Sequence, residues 1–88
     1  MFDFEFLGSG AFQILKIMYD RVFLDEANNQ YTSIISQKEI IDLSHYSKSK
    51  VNQNVILLKE KGYLLQNKQC RYVLTDKTLK IFKALEQI

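Results

Sequence analysis

Residues 36–62 contain two helical segments separated by a short break, and this pattern constrains the fold more than any other feature. Ser36 and Glu39 stand three residues apart at the start of the first segment, the spacing of a capping box. The break at 44–47 ends that segment, and Ser47 can cap the second helix. Gly62 follows the second segment at the position of a C-terminal capping glycine. The apolar residues of the second segment recur at helical spacing: Val51, Val55 and Leu58.

The flanking sequence predicts the remaining elements. Apolar residues at helical spacing indicate a first helix over 11–27, with Asn28-Asn29 as its stop. The β-branched run 31–35 predicts a brief strand, and 63–65 and 71–74 predict two more, joined at a tip of 67–69. Thr75 can cap a last helix that carries Leu79, Phe82 and Leu85. The predicted fold is mainly α with a small β-hairpin wing, in the order α-β-α-α-β-β-α.

Length and composition limit the function classes. At 88 residues and 10.4 kDa, the chain is one domain and cannot form a Rossmann fold, so Gly8-x-Gly10 does not indicate nucleotide binding. Cys70 and His45, each the only residue of its type, are too few for a disulfide or a zinc site. We expect no cofactor, no metal and no enzymatic activity. Residues 1–7 lack a basic signal region and no apolar run suits a membrane span, so we expect a cytoplasmic protein.

Charge is distributed unevenly along the chain. Residues 1–29 carry a net charge of −3, whereas 30–88 carry ten basic and five acidic residues, a net charge of +5. Within 44–75, six basic residues stand against Glu60 alone. This asymmetry favours a polyanion as the partner of the second half, and a solvated lysine-rich surface is the alternative.

The second helix of the pair has a polar face opposite its apolar stripe. With Val51 pointing inward, Ser49 and Gln53 point outward, and Lys50 and Asn52 lie on the flanks. Such side chains suit phosphates and base edges, and Gln and Asn can pair with adenine. Two short helices, the second capped and followed by a hairpin, predict a winged helix-turn-helix with this face toward the DNA major groove.

The chain resembles the winged-helix regulators of the MarR and ArsR superfamily over residues 36–78. The matching segments are SQKEIIDL at 36–43, SKSKV at 47–51, LKEKGYL at 58–64 and RYVLTDK at 71–77. The corresponding family segments are T-Q-K-E-L-A, S-x-S-T-V, L-E-x-K-G-L-I and R-x-x-L-T-x-x-G. The chain departs from the family at Ile41, at His45 and Thr78 in place of glycines, and at Lys50 and Gln53.

The resemblance implies a transcriptional regulator that binds double-stranded, palindromic DNA. A plasmid or phage protein for partition or replication, and a winged-helix protein–protein interaction module, are the alternatives. Residues 36–75 form the helix-turn-helix and wing, between an N-terminal arm and helix (1–29) and a C-terminal helix (76–88). The predicted DNA-binding residues are Gln37, Ser47, Lys48, Ser49, Lys50, Asn52, Gln53, Lys68, Gln69 and Arg71.

The apolar residues outside the winged core predict a homodimer. Two amphipathic helices and an aromatic arm supply more apolar surface than 36–75 can cover, and exposed patches of that kind are usually interfaces. Packing of the first helix on the last within one chain is the alternative. The predicted interface residues are Phe2, Phe4, Phe6, Ile14, Leu15, Met18, Val22, Leu79, Phe82 and Leu85.

Overall fold

The part of the chain that the structure describes forms a small domain of four helices and a four-stranded antiparallel sheet. The structure, a computed structural model, describes residues 9–66 and 71–87. No helix in those ranges is long and apolar enough to span a membrane. The elements in chain order are α1 (Gly10–Tyr19), β1 (Val22–Asp25), β2 (Gln30–Ser33), α2 (Gln37–Ser44), α3 (Lys48–Glu60), β3 (Leu64–Gln66), β4 (Tyr72–Leu74) and α4 (Asp76–Glu86).

The predicted first helix over 11–27 is wrong in its second half. The helix ends at Tyr19, and Val22–Asp25 forms β1, which pairs antiparallel with β2. Asn28 donates a hydrogen bond to the Asp25 carboxylate at 2.9 Å, and Asn29 has a φ of 50°. The two asparagines therefore close a hairpin, since Asn accepts the left-handed conformation more easily than most residues. The described residues thus form one more strand than the predicted order contains.

The sheet has the strand order β1-β2-β4-β3, with every neighbouring pair antiparallel. β2 corresponds to the predicted strand at 31–35, although it spans Gln30–Ser33. β3 and β4 form the predicted pair of strands after α3. Their predicted tip at 67–69 lies outside the described residues.

The predicted ends of α2 and α3 are confirmed. The Ser36 hydroxyl accepts from the Glu39 N–H at 3.2 Å, and the Ser36 N–H donates to the Glu39 carboxylate at 3.5 Å. The Ser47 hydroxyl accepts from the Lys50 N–H at 3.1 Å. Gly62 has a φ of 80° and its N–H donates to the Lys59 carbonyl, completing a Schellman motif at the end of α3.

Thr75 does not act as the predicted side-chain cap of α4. It occupies the N-cap position, but its hydroxyl lies 2.7 Å from the Gly62 carbonyl and 3.0 Å from the Tyr63 carbonyl. Thr78 is fully buried, and its hydroxyl also donates to the Tyr63 carbonyl. The two threonines therefore tie the start of α4 to the segment that leaves α3.

The core lies between α1, α2, α3 and one face of the sheet, and α4 packs against α1. Phe82 stacks on Tyr19 with ring centroids 4.2 Å apart and on Phe12 at 5.5 Å. The Tyr19 hydroxyl donates to the Glu86 carboxylate at 2.7 Å. This hydrogen bond, with a smaller contribution from burial, raises the pKa of Tyr19. Helices α1 and α4 thus pack on each other within one chain. This is the arrangement named above as the alternative to a dimer interface.

Four of the seven predicted interface residues that the structure describes are buried in this core. Ile14, Leu15 and Met18 have no exposed surface, so their assignment to a dimer interface is wrong. The amphipathic pattern that suggested an interface is satisfied by α2, α3 and α4 of the same chain. The other described members are the half-buried Val22, Leu79 and Leu85 and the buried Phe82. Phe2, Phe4 and Phe6 lie outside the described residues.

Candidate nucleic-acid interface

The turn between α2 and α3 consists of three residues, 45–47, and fixes the two helices side by side. His45 has a φ of 61° and its N–H donates to the Ile41 carbonyl at 3.0 Å. The Tyr46 N–H then donates to the Ser44 hydroxyl at 3.2 Å. His45 therefore has the role in the turn expected from its tolerance of positive φ. Ile40 of α2 and Val51, Val55 and Leu58 of α3 are buried in the common core, which leaves the opposite sides of the two helices facing outward.

The first turn of α3 presents positive charge to solvent. Lys48, Ser49 and Lys50 are exposed, and no acidic residue lies in this turn. The N-terminal end of a helix carries free N–H groups and a partial positive charge, both of which favour an anion. The lysines add to that field, so this end of α3 is suited to a phosphate group.

The outward face of α3 continues for three turns from this end. Asn52 and Gln53 are exposed next to the first turn, and Glu60 is exposed at the far end. Ile56, at 47% exposure, lies between Gln53 and Glu60 on the same face. The sequence interpretation missed Ile56, although its angular position opposite Val51 was available as a signal. An exposed isoleucine in the middle of a polar face gives that face one apolar contact point.

Two contacts connect this face to neighbouring helices. The Gln37 amide of α2 donates to the Asn52 side-chain oxygen at 3.4 Å. The Lys50 ammonium lies 4.0 Å from the centroid of the Tyr46 ring, within the range of a cation–π interaction. The Tyr46 hydroxyl in turn donates to the Gln13 side chain of α1 at 3.0 Å. Tyr46, which was not predicted, thereby holds Lys50 toward α1.

The predicted wing contributes less to the described surface. Arg71 is exposed immediately before β4, while Lys68 and Gln69 lie outside the described residues. Lys59 at the end of α3 donates to the Gln66 side chain of β3 at 2.6 Å. Seven of the ten predicted residues therefore lie together on α3, its cap and the start of α2: Gln37, Ser47, Lys48, Ser49, Lys50, Asn52 and Gln53.

The side chains of this surface offer mainly hydrogen-bond donors and positive charge. The surface combines ammonium groups, hydroxyls and side-chain amides, which donate to phosphate oxygens and base edges. No protein-family model, curated protein or solved structure matches this chain.

Proposed function

We propose that the protein binds double-stranded DNA in a sequence-specific manner, as a small transcriptional regulator with a winged helix-turn-helix. The observation that carries the proposal is the exposed first half of α3. Helix α3 begins with a serine cap and the exposed Lys48 and Lys50, and continues with Asn52 and Gln53. A short turn joins it to α2. This combination meets the requirements of a recognition helix in the major groove.

The order of elements from β2 to α4 supports the same fold. β2 precedes the two short helices and pairs with β4, and the β3–β4 pair follows α3 in the position of a wing. The segments shared with the MarR and ArsR superfamily fall on these elements. β1 is then an addition at the edge of the sheet, next to β2.

The positions of the side chains support different roles along α3. Ser47, Lys48 and Ser49 surround the helix start, where contacts with phosphates set the position of the protein on DNA. Asn52 and Gln53 lie one turn further and are placed to pair with base edges. Ile56 can contact a thymine methyl group. Lys50, held against Tyr46 on the flank, is better placed for a phosphate than for a base edge.

A homodimer remains part of the proposal. Two recognition helices about one DNA turn apart bind a palindrome that one helix cannot specify tightly. Because α1 uses its apolar face within the chain, the contact between the two copies must involve other residues than Ile14, Leu15 and Met18.

Titration of a random-sequence duplex with the protein at increasing salt tests the proposal. Affinity should fall steeply as salt rises, because lysines that contact phosphates release counterions. Lys48→Ala should reduce the slope of log affinity against log salt by about 0.9, the value for one lost phosphate contact. Lys83→Ala on α4 removes the same charge from another helix and should leave the slope unchanged. Absence of duplex binding at low salt would contradict DNA binding and favour the protein–protein interaction module.

A further inference from the structure

Strand β1 is an open edge of the sheet. It pairs with β2 on one side, and among the described residues no strand pairs with its other side. β2 is also the only described element with which β1 makes extensive contacts. The backbone N–H and C=O groups on the open side of an edge strand can pair with another chain.

The side chains of β1 do not protect this edge. Phe23 and Leu24 at its centre are 40% and 44% exposed. In natural proteins, a lysine, a proline or another charge at the centre of an edge strand usually prevents that strand from pairing with another chain. Val22–Asp25 contains no lysine or proline, and its single charge, Asp25, is at the end. An exposed apolar pair on an unprotected edge is typical of a strand that pairs with a partner.

A second copy of the chain is the partner that the charges fit. In an antiparallel pair of strands, the N–H and C=O groups of two opposite residues either both point toward the partner strand or both point away from it. These groups alternate in direction along a strand. When two copies of one strand pair, the sequence numbers of opposite residues must therefore differ by an even number. A twofold axis at Phe23 places Phe23 opposite its own copy and Val22 opposite Leu24. The axis at Leu24 would instead place Phe23 opposite the Asp25 carboxylate.

The same axis also matches the charge just before β1 with the charge at the end of the strand. With Phe23 opposite Phe23, Arg21 of each copy lies opposite Asp25 of the other. Phe23 and Asp25 share one face of β1, because alternate residues of a strand point to the same side. Arg21 lies in the turn immediately before β1, and extension of the pairing by one residue would place it on that face as well. The arrangement thus gives an aromatic pair flanked by two ion pairs, and cross-strand pairs of both kinds stabilise a sheet.

We propose that β1 pairs antiparallel with β1 of a second copy about a twofold axis at Phe23, joining two four-stranded sheets into one continuous sheet. This assigns the interface of the proposed homodimer, but it does not depend on DNA binding. The open edge, the two exposed apolar side chains and the charge match at one register together carry the assignment.

Sedimentation of the full chain without DNA, at micromolar concentration, tests the dimer. The wild-type protein should sediment with twice the 10.4 kDa mass of one chain. Phe23→Lys should give a monomer, whereas Leu65→Lys, an equal change at the opposite edge strand β3, should remain dimeric. Circular dichroism should show that both variants are folded. A wild-type monomer, or a dimer unaffected by Phe23→Lys, would overturn the proposal whatever the outcome with DNA.

Charge exchange tests the ion pairs. Arg21→Glu should weaken the dimer because it places two carboxylates opposite each other at both ends of the strand. The double variant with Arg21→Glu and Asp25→Arg should restore dimerisation, since it only reverses the direction of both pairs. Equal weakening in the single and double variants would contradict the register.

Disulfide formation tests the register itself, in a chain with Cys70→Ser. The two Phe23 Cα atoms would lie about 4.5–5.5 Å apart, within disulfide range, so Phe23→Cys should form a crosslinked dimer on oxidation. The two Leu24 Cα atoms would be offset by two residues and about 8 Å apart, so Leu24→Cys should not crosslink. Crosslinking through Leu24→Cys alone would contradict the axis at Phe23.

Discussion

The α2–α3 pair and the β1–β2 hairpin have the same kind of turn but present different surfaces. Each joins two elements through a short turn that contains a non-glycine residue at positive φ, His45 in one and Asn29 in the other. Lysines, hydroxyls and amides cover the exposed start of α3, whereas Phe23 and Leu24 are exposed at the centre of β1. The surface chemistry, and not the turn, therefore distinguishes the start of α3, which suits a polyanion, from β1, which suits a second copy.

The largest expected effect is on duplex binding by the α2–α3 pair. Replacing both Lys48 and Lys50 with Glu should lower affinity for a random duplex about 100-fold at low salt, since two phosphate contacts become repulsive. Self-association through β1 should not change. The matched control is Lys80→Glu with Lys83→Glu on α4, which changes net charge equally and should reduce affinity far less. Equal losses in both double variants would mean that net charge, not the α3 surface, determines binding.

A smaller effect is expected on specificity within the same surface. Gln53→Ala should cost about 1–3 kcal/mol on the preferred site and relax one base position, as loss of a bidentate base contact does. Glu60→Ala, at the far end of the same face, should leave the preferred sequence unchanged. Selection of bound sequences from a random pool measures both. An unchanged preference in Gln53→Ala would contradict the assignment of the recognition face.

The smallest expected effect is on the stability of the protein, through the residue at positive φ in each of the two turns. Ala at position 45 or 29 should lower the free energy of unfolding by about 1 kcal/mol, because alanine lacks the polar side chain with which histidine and asparagine tolerate the left-handed conformation. Gly at either position should not, since glycine adopts positive φ freely. Urea unfolding measures both pairs of variants. Equal stability of the Ala and Gly variants would show that positive φ places no strain on these turns.

Features determined by short-range interactions could be predicted from the sequence. The caps at Ser36 and Ser47, the glycine at Gly62 and the strand pair after α3 each depend on residues close together in the chain. The second half of the first helix could not be predicted in this way, because local signals competed. Val22 fits the helical spacing, but Phe23 lies one residue out of phase, and Asn28-Asn29 suits a hairpin as well as a helix end. Pairing of β1 with β2 favours the strand.

The candidate site was partly predictable for the same reason. The outward positions of Ser49 and Gln53 follow from the period of the helix, and both are exposed. The contact of Lys50 with Tyr46 depends on the turn geometry and on α1, which the local pattern does not contain. Likewise, an amphipathic helix such as α1 can bury Ile14 and Leu15 in its own core or in a partner. Only the three-dimensional arrangement distinguishes the two.

Backbone amide chemical shifts during titration with a duplex test the central claim most directly, because they locate the bound surface residue by residue. We expect the largest shifts at 47–53 and at Gln37, and little change at the amides of β1 and of its turn with β2. Shifts concentrated on 22–33, or no shifts at saturating duplex, would contradict DNA binding through α3.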